Sequence, residues 1–193
     1  MERGHLHRAP KTGAAHALAA LVAAAAFVPL PAAAAGTASA PAETVILNPV
    51  TAGFDSHMLF GQISTSGTAG TVVLDPTVSP TCPTTGGLIH ASVCKAARFT
   101  GLGPYQAEIR IMRPSGNSIT MTGPGGATMV LDSFEFGSAS PTTFLVQNGA
   151  NTRFRIDAPG GDYAIYAGAT LYVAGNQTPG TYTGTFDIRI IFN

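Results

Sequence analysis

Two cysteines, five histidines and ten carboxylates are the side chains of this chain that could bind a metal or move a proton. Cys82 and Cys94 lie in one stretch rich in Thr, Pro and Gly. In an oxidising compartment such a pair closes a short loop, and chain entropy makes the link worth roughly 3 kcal/mol. Two separate thiols are the alternative. His90 is the only potential metal ligand near them in sequence, and these three residues do not complete the tetrahedral set of a structural metal, so no metal site is expected.

The other groups do not converge. His5, His7 and His16 fall in the N-terminal leader described below, and His57 and His90 stand far apart with no triad partner in sequence. Glu43, Asp55, Asp75, Glu108, Asp132, Glu135, Asp157, Asp162 and Asp187 are scattered, and spacing assigns no acid and base pair among them. There is no Gly-x-Ser-x-Gly and no phosphate-cradling glycine loop. Tyr105, Tyr163, Tyr166, Tyr172 and Tyr182 could stack on sugar rings, but tyrosines in a β domain more commonly pack strands and interfaces. No catalytic residue and no cofactor is expected, and the chain does not read as an enzyme.

Residues 1–35 read as a cleavable secretory signal. Arg3, Arg8 and Lys11 precede an apolar run from Ala17 to Val28, and Ala33-Ala34-Ala35 offers a small-residue cleavage site before Gly36. The run is too short to span a membrane, which takes roughly 20 residues, and Pro29 and Pro31 end it. The expected product is one domain, 36–193, in the periplasm or at the cell surface. Seven basic against nine acidic side chains remain there, a net charge of −2. So weak a balance leaves no electrostatic footprint for nucleic acid and no basic block for an anionic membrane.

The elements that must position these residues are strands. After residue 40, β-branched and aromatic runs separated by Gly, Pro, Asn and Ser recur, and helical spacing does not. The candidates are 44–47, 58–64, 70–74, 97–101, 106–112, 118–122, 129–136, 144–147, 152–156, 163–166, 170–174 and 181–192. Short strands with Arg113-Pro-Ser-Gly, Pro124-Gly-Gly and Pro159-Gly-Gly between them predict an all-β fold, an immunoglobulin-like sandwich of antiparallel strands.

The last stretch carries the clearest pattern. Gly180, Tyr182, Gly184, Phe186, Ile188, Ile190 and Phe192 share one face of a strand, and Thr181, Thr183, Thr185, Asp187, Arg189 and Ile191 share the other. With Asn193 as the first position from the end, an aromatic residue stands second, apolar residues fourth, sixth and eighth, and Gly180 fourteenth. This resembles the C-terminal signature of chaperone–usher pilus subunits, with Phe192 where that family has tyrosine. Met58-Leu-Phe-Gly-Gln-Ile63, Gly70-Thr-Val-Val-Leu-Asp-Pro76 and the run from Gly168 to Gly184 resemble the exported bacterial domain-of-unknown-function family numbered 4402, itself similar to spore-coat U and archaic pilus subunits.

The resemblance implies a pilus- or fimbria-like subunit whose last strand is gripped by a periplasmic chaperone through strand addition and whose copies then join by donor-strand complementation. In that mode an extended segment of one copy completes the sandwich of the next. Val45 and Leu47 alternate with polar neighbours behind a Pro- and Ala-rich stretch, so 36–48 is either the donor extension or the domain's own first strand. The other expectation is a self-contained, non-enzymatic binding module for a glycan or a protein, secreted or periplasmic, with the same sandwich.

Overall fold

The computed structural model describes residues 50–193. The leader 1–35 and the segment with Val45 and Leu47 lie outside the described residues. The fold is all-β and sandwich-like, as the strand pattern predicts. In chain order the strands are β1 (Gly53–Ser56), β2 (Ile63–Ser64), β3 (Gly70–Leu74), β4 (Ile89–His90), β5 (Ala97–Leu102) and β6 (Glu108–Met112). They continue with β7 (Ser118–Thr122), β8 (Thr128–Ser138), β9 (Thr142–Asn148), β10 (Asn151–Ile156), β11 (Asp162–Val173) and β12 (Arg189–Phe192). Among the described residues no helix is long and apolar enough to cross a membrane.

The larger sheet runs β1-β5-β11-β8-β7, with β3 also on β11, and every pairing is antiparallel. The second runs β12-β6-β10-β9, and β2 and β4 form a separate two-stranded clip. β11 is the spine of the larger sheet. Its first half pairs with β5 through Asp162–Ala167, and its second half pairs with β3 through Ala169–Val173. Gly168 sits at the junction, where a Cβ would overlap the Leu74 carbonyl oxygen, and Gly137 on β8 likewise admits Pro76. Sequence reading splits this strand near Gly168. The glycine is there for close backbone approach, and the strand runs through it.

The sheets share a core because their inward positions alternate with polar ones. Ile109 and Ile111 of β6 and Phe154 and Ile156 of β10 are fully buried against Phe136, Tyr163, Ile165 and Ala167 of the larger sheet. Burying each large side chain contributes roughly 1.5–3 kcal/mol. A second cluster packs Val72, Leu74, Leu131, Phe134, Leu171 and Val173 with Phe60, Leu88 and Cys94 from the connection between β1 and β5. That connection departs from the expected strand 58–64. Phe60 turns into the core, Gly61 adopts φ 72°, and only an isolated Leu59–Lys95 bridge and the short β2 remain.

Cys82 and Cys94 are joined in a disulfide with Cα atoms 6.4 Å apart. The loop it closes covers the free edge of β3, where Val73 N donates to Pro83 O at 3.0 Å and Thr85 N to Thr71 O at 2.9 Å. Blunting an edge in this way keeps a row of unpaired backbone groups from recruiting another chain.

Candidate functional site

The residues singled out at the C-terminal end fall into two groups. Ile190 and Phe192 lie in β12, which pairs with β6 in the register Arg189↔Met112, Ile190↔Ile111, Ile191↔Arg110 and Phe192↔Ile109. Asn193 N extends the ladder by donating to Glu108 O at 3.0 Å. Phe186, Ile188, Ile190 and Phe192 pack against the core cluster between the sheets. Phe192 meets the Tyr163 ring edge-on at 5.8 Å, over Gly103, where a Cβ would lie 2.7 Å from the ring. Phe186 lies 4.9 Å from Phe134 and 6.3 Å from Phe99.

Gly180 and Tyr182 lie in an irregular stretch instead of a strand running from 181. Gly180 has φ 142° and packs against Pro124. The Tyr182 ring covers Gly123, its hydroxyl donates to Thr178 O at 2.7 Å, and Gln177 Nε2 donates to that hydroxyl at 2.6 Å. Thr183 then bridges Thr122 of β7 with bonds of 2.8 and 3.0 Å. The segment therefore leaves the edge of the larger sheet at Thr183 and joins the edge of the second sheet at Arg189. An alternating pattern fixes which side chains face inward but not which strand supplies the hydrogen bonds, so sequence reading made one strand of two partial ones.

Between this crossing segment and β1 lies an apolar groove of about 570 Å³. Phe54, Met58, Phe99, Met121, Leu131, Phe186, Ile188 and Ile190 supply most of its apolar wall, and His57 and Asp187 add polar groups. Both flanking strands are edges, for β12 pairs only with β6 and β1 only with β5 among the described residues. Phe54 is 55% exposed beside the groove, its ring 4.9 Å from that of His57. An ion pair of 2.7 Å between Arg98 and Asp55 ties β1 to β5, and its hydrogen bond raises the Arg98 pKa.

The described chain begins at the rim of this groove. Thr51 N donates to Leu102 O at 2.9 Å, the Tyr163 hydroxyl donates to Thr51 O at 2.8 Å, and Ala52 lines the wall. Burial pushes the Tyr163 hydroxyl pKa up to about 12. Sequence reading missed β1 and hence the groove, because Gly53-Phe-Asp-Ser has neither alternation nor β-branched residues.

A second constellation is assembled by the clip. His90 pairs with Ile63 across β2 and β4, and its Nε2 lies 2.8 Å from Phe60 O. The Cys82 and Cys94 sulfurs and a ring nitrogen of His90 all lie within 4.8 Å of one another. The cysteine spacing indicated a loop, but only the fold of the clip turns His90 toward it.

Over residues 50–192 the chain matches the model of the family described as domain of unknown function DUF4402, and it belongs to that family. No curated protein and no solved structure matches it.

Proposed function

We propose that the protein is an exported structural subunit, pilus- or fimbria-like, whose copies join by β-strand complementation and serve surface attachment. One observation carries this reading: an apolar groove lies between two unpaired strand edges, β1 and β12. An extended segment laid there would gain main-chain hydrogen bonds from an edge and sink alternate side chains among Phe54, Phe99, Ile188 and Ile190. Each side chain fully buried contributes roughly 1.5–3 kcal/mol before ordering costs, so a few of them make a durable joint. Val45 and Leu47 have the alternation such a donor needs. A periplasmic chaperone would hold the same edges before assembly, and head-to-tail repetition of the joint gives a filament.

A self-contained binding module is the second reading, and the entry of the chain favours it. Thr51 and Ala52 of the same copy already stand at the rim, so filling the groove needs no second chain. Light scattering on the purified protein, with electrophoresis in SDS before and after heating without reductant, separates the two. A ladder of SDS-resistant oligomers that collapses on heating is the result expected of a subunit. A single stable monomer at every concentration overturns that reading in favour of the module.

A further inference from the structure

We propose that Cys82, Cys94 and His90 form, when the disulfide is reduced, a site for a thiophilic d¹⁰ metal ion such as Zn²⁺. This is independent of the assembly reading, because the three ligands come from the loop of residues 82–94 and its β4 strand, none of which lines the apolar groove.

The donor set suits such an ion. Two sulfurs and an imidazole nitrogen lie mutually within 4.8 Å, and two thiolates with one neutral imidazole are the soft donors that Zn²⁺ takes at about 2.3 Å for sulfur and 2.0–2.1 Å for nitrogen. Tetrahedral bonds of that length set two sulfurs roughly 3.8 Å apart, against about 2.05 Å in a disulfide. Side-chain rotation of the two cysteines supplies the difference, because their Cα atoms already stand 6.4 Å apart. Three protein ligands leave the fourth position to water or an incoming donor.

His90 is also supported from behind. Its Nε2 lies 2.8 Å from the carbonyl oxygen of Phe60, so Nε2 carries the proton and donates it, and the lone pair falls on Nδ1. A ligating histidine is commonly oriented in this way by its other nitrogen. Gly61, with φ 72°, makes room, since a Cβ there would lie 2.9 Å from His90 Nε2. Ala91 N donates to Gln62 O at 2.9 Å and Gln62 N to Ser92 Oγ at 2.7 Å, which hold the clip on both sides of the ring. Cys94 is buried against Phe60 and Leu88, and a dry wall of this kind strengthens ion binding.

The chemistry balances with a dithiol reductant. It gives two electrons and two protons to the disulfide and becomes a disulfide itself. Each new thiol then releases its proton to solvent as its sulfur binds the ion, so two thiolates and a neutral imidazole cancel a 2+ charge.

Titrating the reduced full chain with Co²⁺ tests the site, because only thiolate ligation gives a sulfur-to-cobalt charge-transfer band in the near ultraviolet. The leader histidines cannot produce it. One equivalent of Co²⁺ should develop the band, Zn²⁺ should displace it, the oxidised protein should show none, and His90→Gln should weaken binding at least about tenfold. Absence of the band, or equal affinity in His90→Gln, overturns the site. Circular dichroism covers loss of fold on reduction. Recovery of the native spectrum on adding Zn²⁺ supports the site, and failure to recover overturns it.

Discussion

Tyr163 links the entry of the described chain to the C-terminal strand, since one side chain hydrogen-bonds Thr51 O and packs on Phe192. Its pKa is raised from 10.0 to about 12 by burial, so the folded state favours the neutral phenol. The unfolded state ionises first as pH rises. The contribution of Tyr163 is thus complete below pH 10 and is lost as pH climbs from 10 through about 12. Tyr163→Phe should cost about 1 kcal/mol near neutral pH, by leaving the Thr51 carbonyl without its partner, and should remove the alkaline step. Urea denaturation across the pH range checks this, and parallel alkaline losses in the two proteins would contradict it. None of this was legible in the sequence, where Tyr163 was one of five tyrosines in strand-like runs. Cys82 and Cys94 were legible as a disulfide because spacing and loop composition bear on pairing. His90 was legible as their neighbour in sequence but not as a donor turned toward both sulfurs, because contact across a two-stranded clip leaves no local pattern.

Elements were legible where a strand is ordinary. Gly70–Leu74 and Ser118–Thr122 have the bounds their alternation predicts, and β8, β9 and β10 extend theirs by one or two residues at an end. The departures share a physical cause, which is that a side-chain period says nothing of the hydrogen-bond partner. Gly168 was read as a break although it serves a close crossing, and 181–192 was read as one strand although it changes sheets. β12 has only four residues and hangs on a single neighbour, so its hold depends on the half-buried Ile190 and Phe192. Ile190→Ser and Phe192→Ser should each cost roughly 1–2 kcal/mol, a partial-burial share of the core penalty, and on the proposed export should together abolish accumulation in the periplasm. Thermal melts and fractionation read the two effects. A double variant that melts and accumulates like the wild type would mean that β12 supports neither the fold nor a partner.

For the whole molecule, the described sandwich protects some edges and leaves others open. β3 is covered by the disulfide loop and β7 is bridged by Thr183, whereas β1 and β12 flank an apolar groove without strand partners on that side among the described residues. Exposed edges beside apolar surface invite pairing, so this flank is where the proposed strand complementation would seat a donor. Thr51 and Ala52 stand at the rim, and whether the segment holding Val45 and Leu47 pairs with its own copy or with another separates a self-contained module from a filament subunit. Chains carrying a photoreactive residue at Leu47, half of them labelled with heavy nitrogen, can be mixed unfolded, refolded together and irradiated. Mass spectrometry of the linked peptides then reads the pairing directly. Strand exchange between copies predicts mixed-label pairs joining residue 47 of one copy to the wall around Phe54 and Ile188 of another. Links confined to chains of the same label would contradict it, making 44–47 the domain's own first strand.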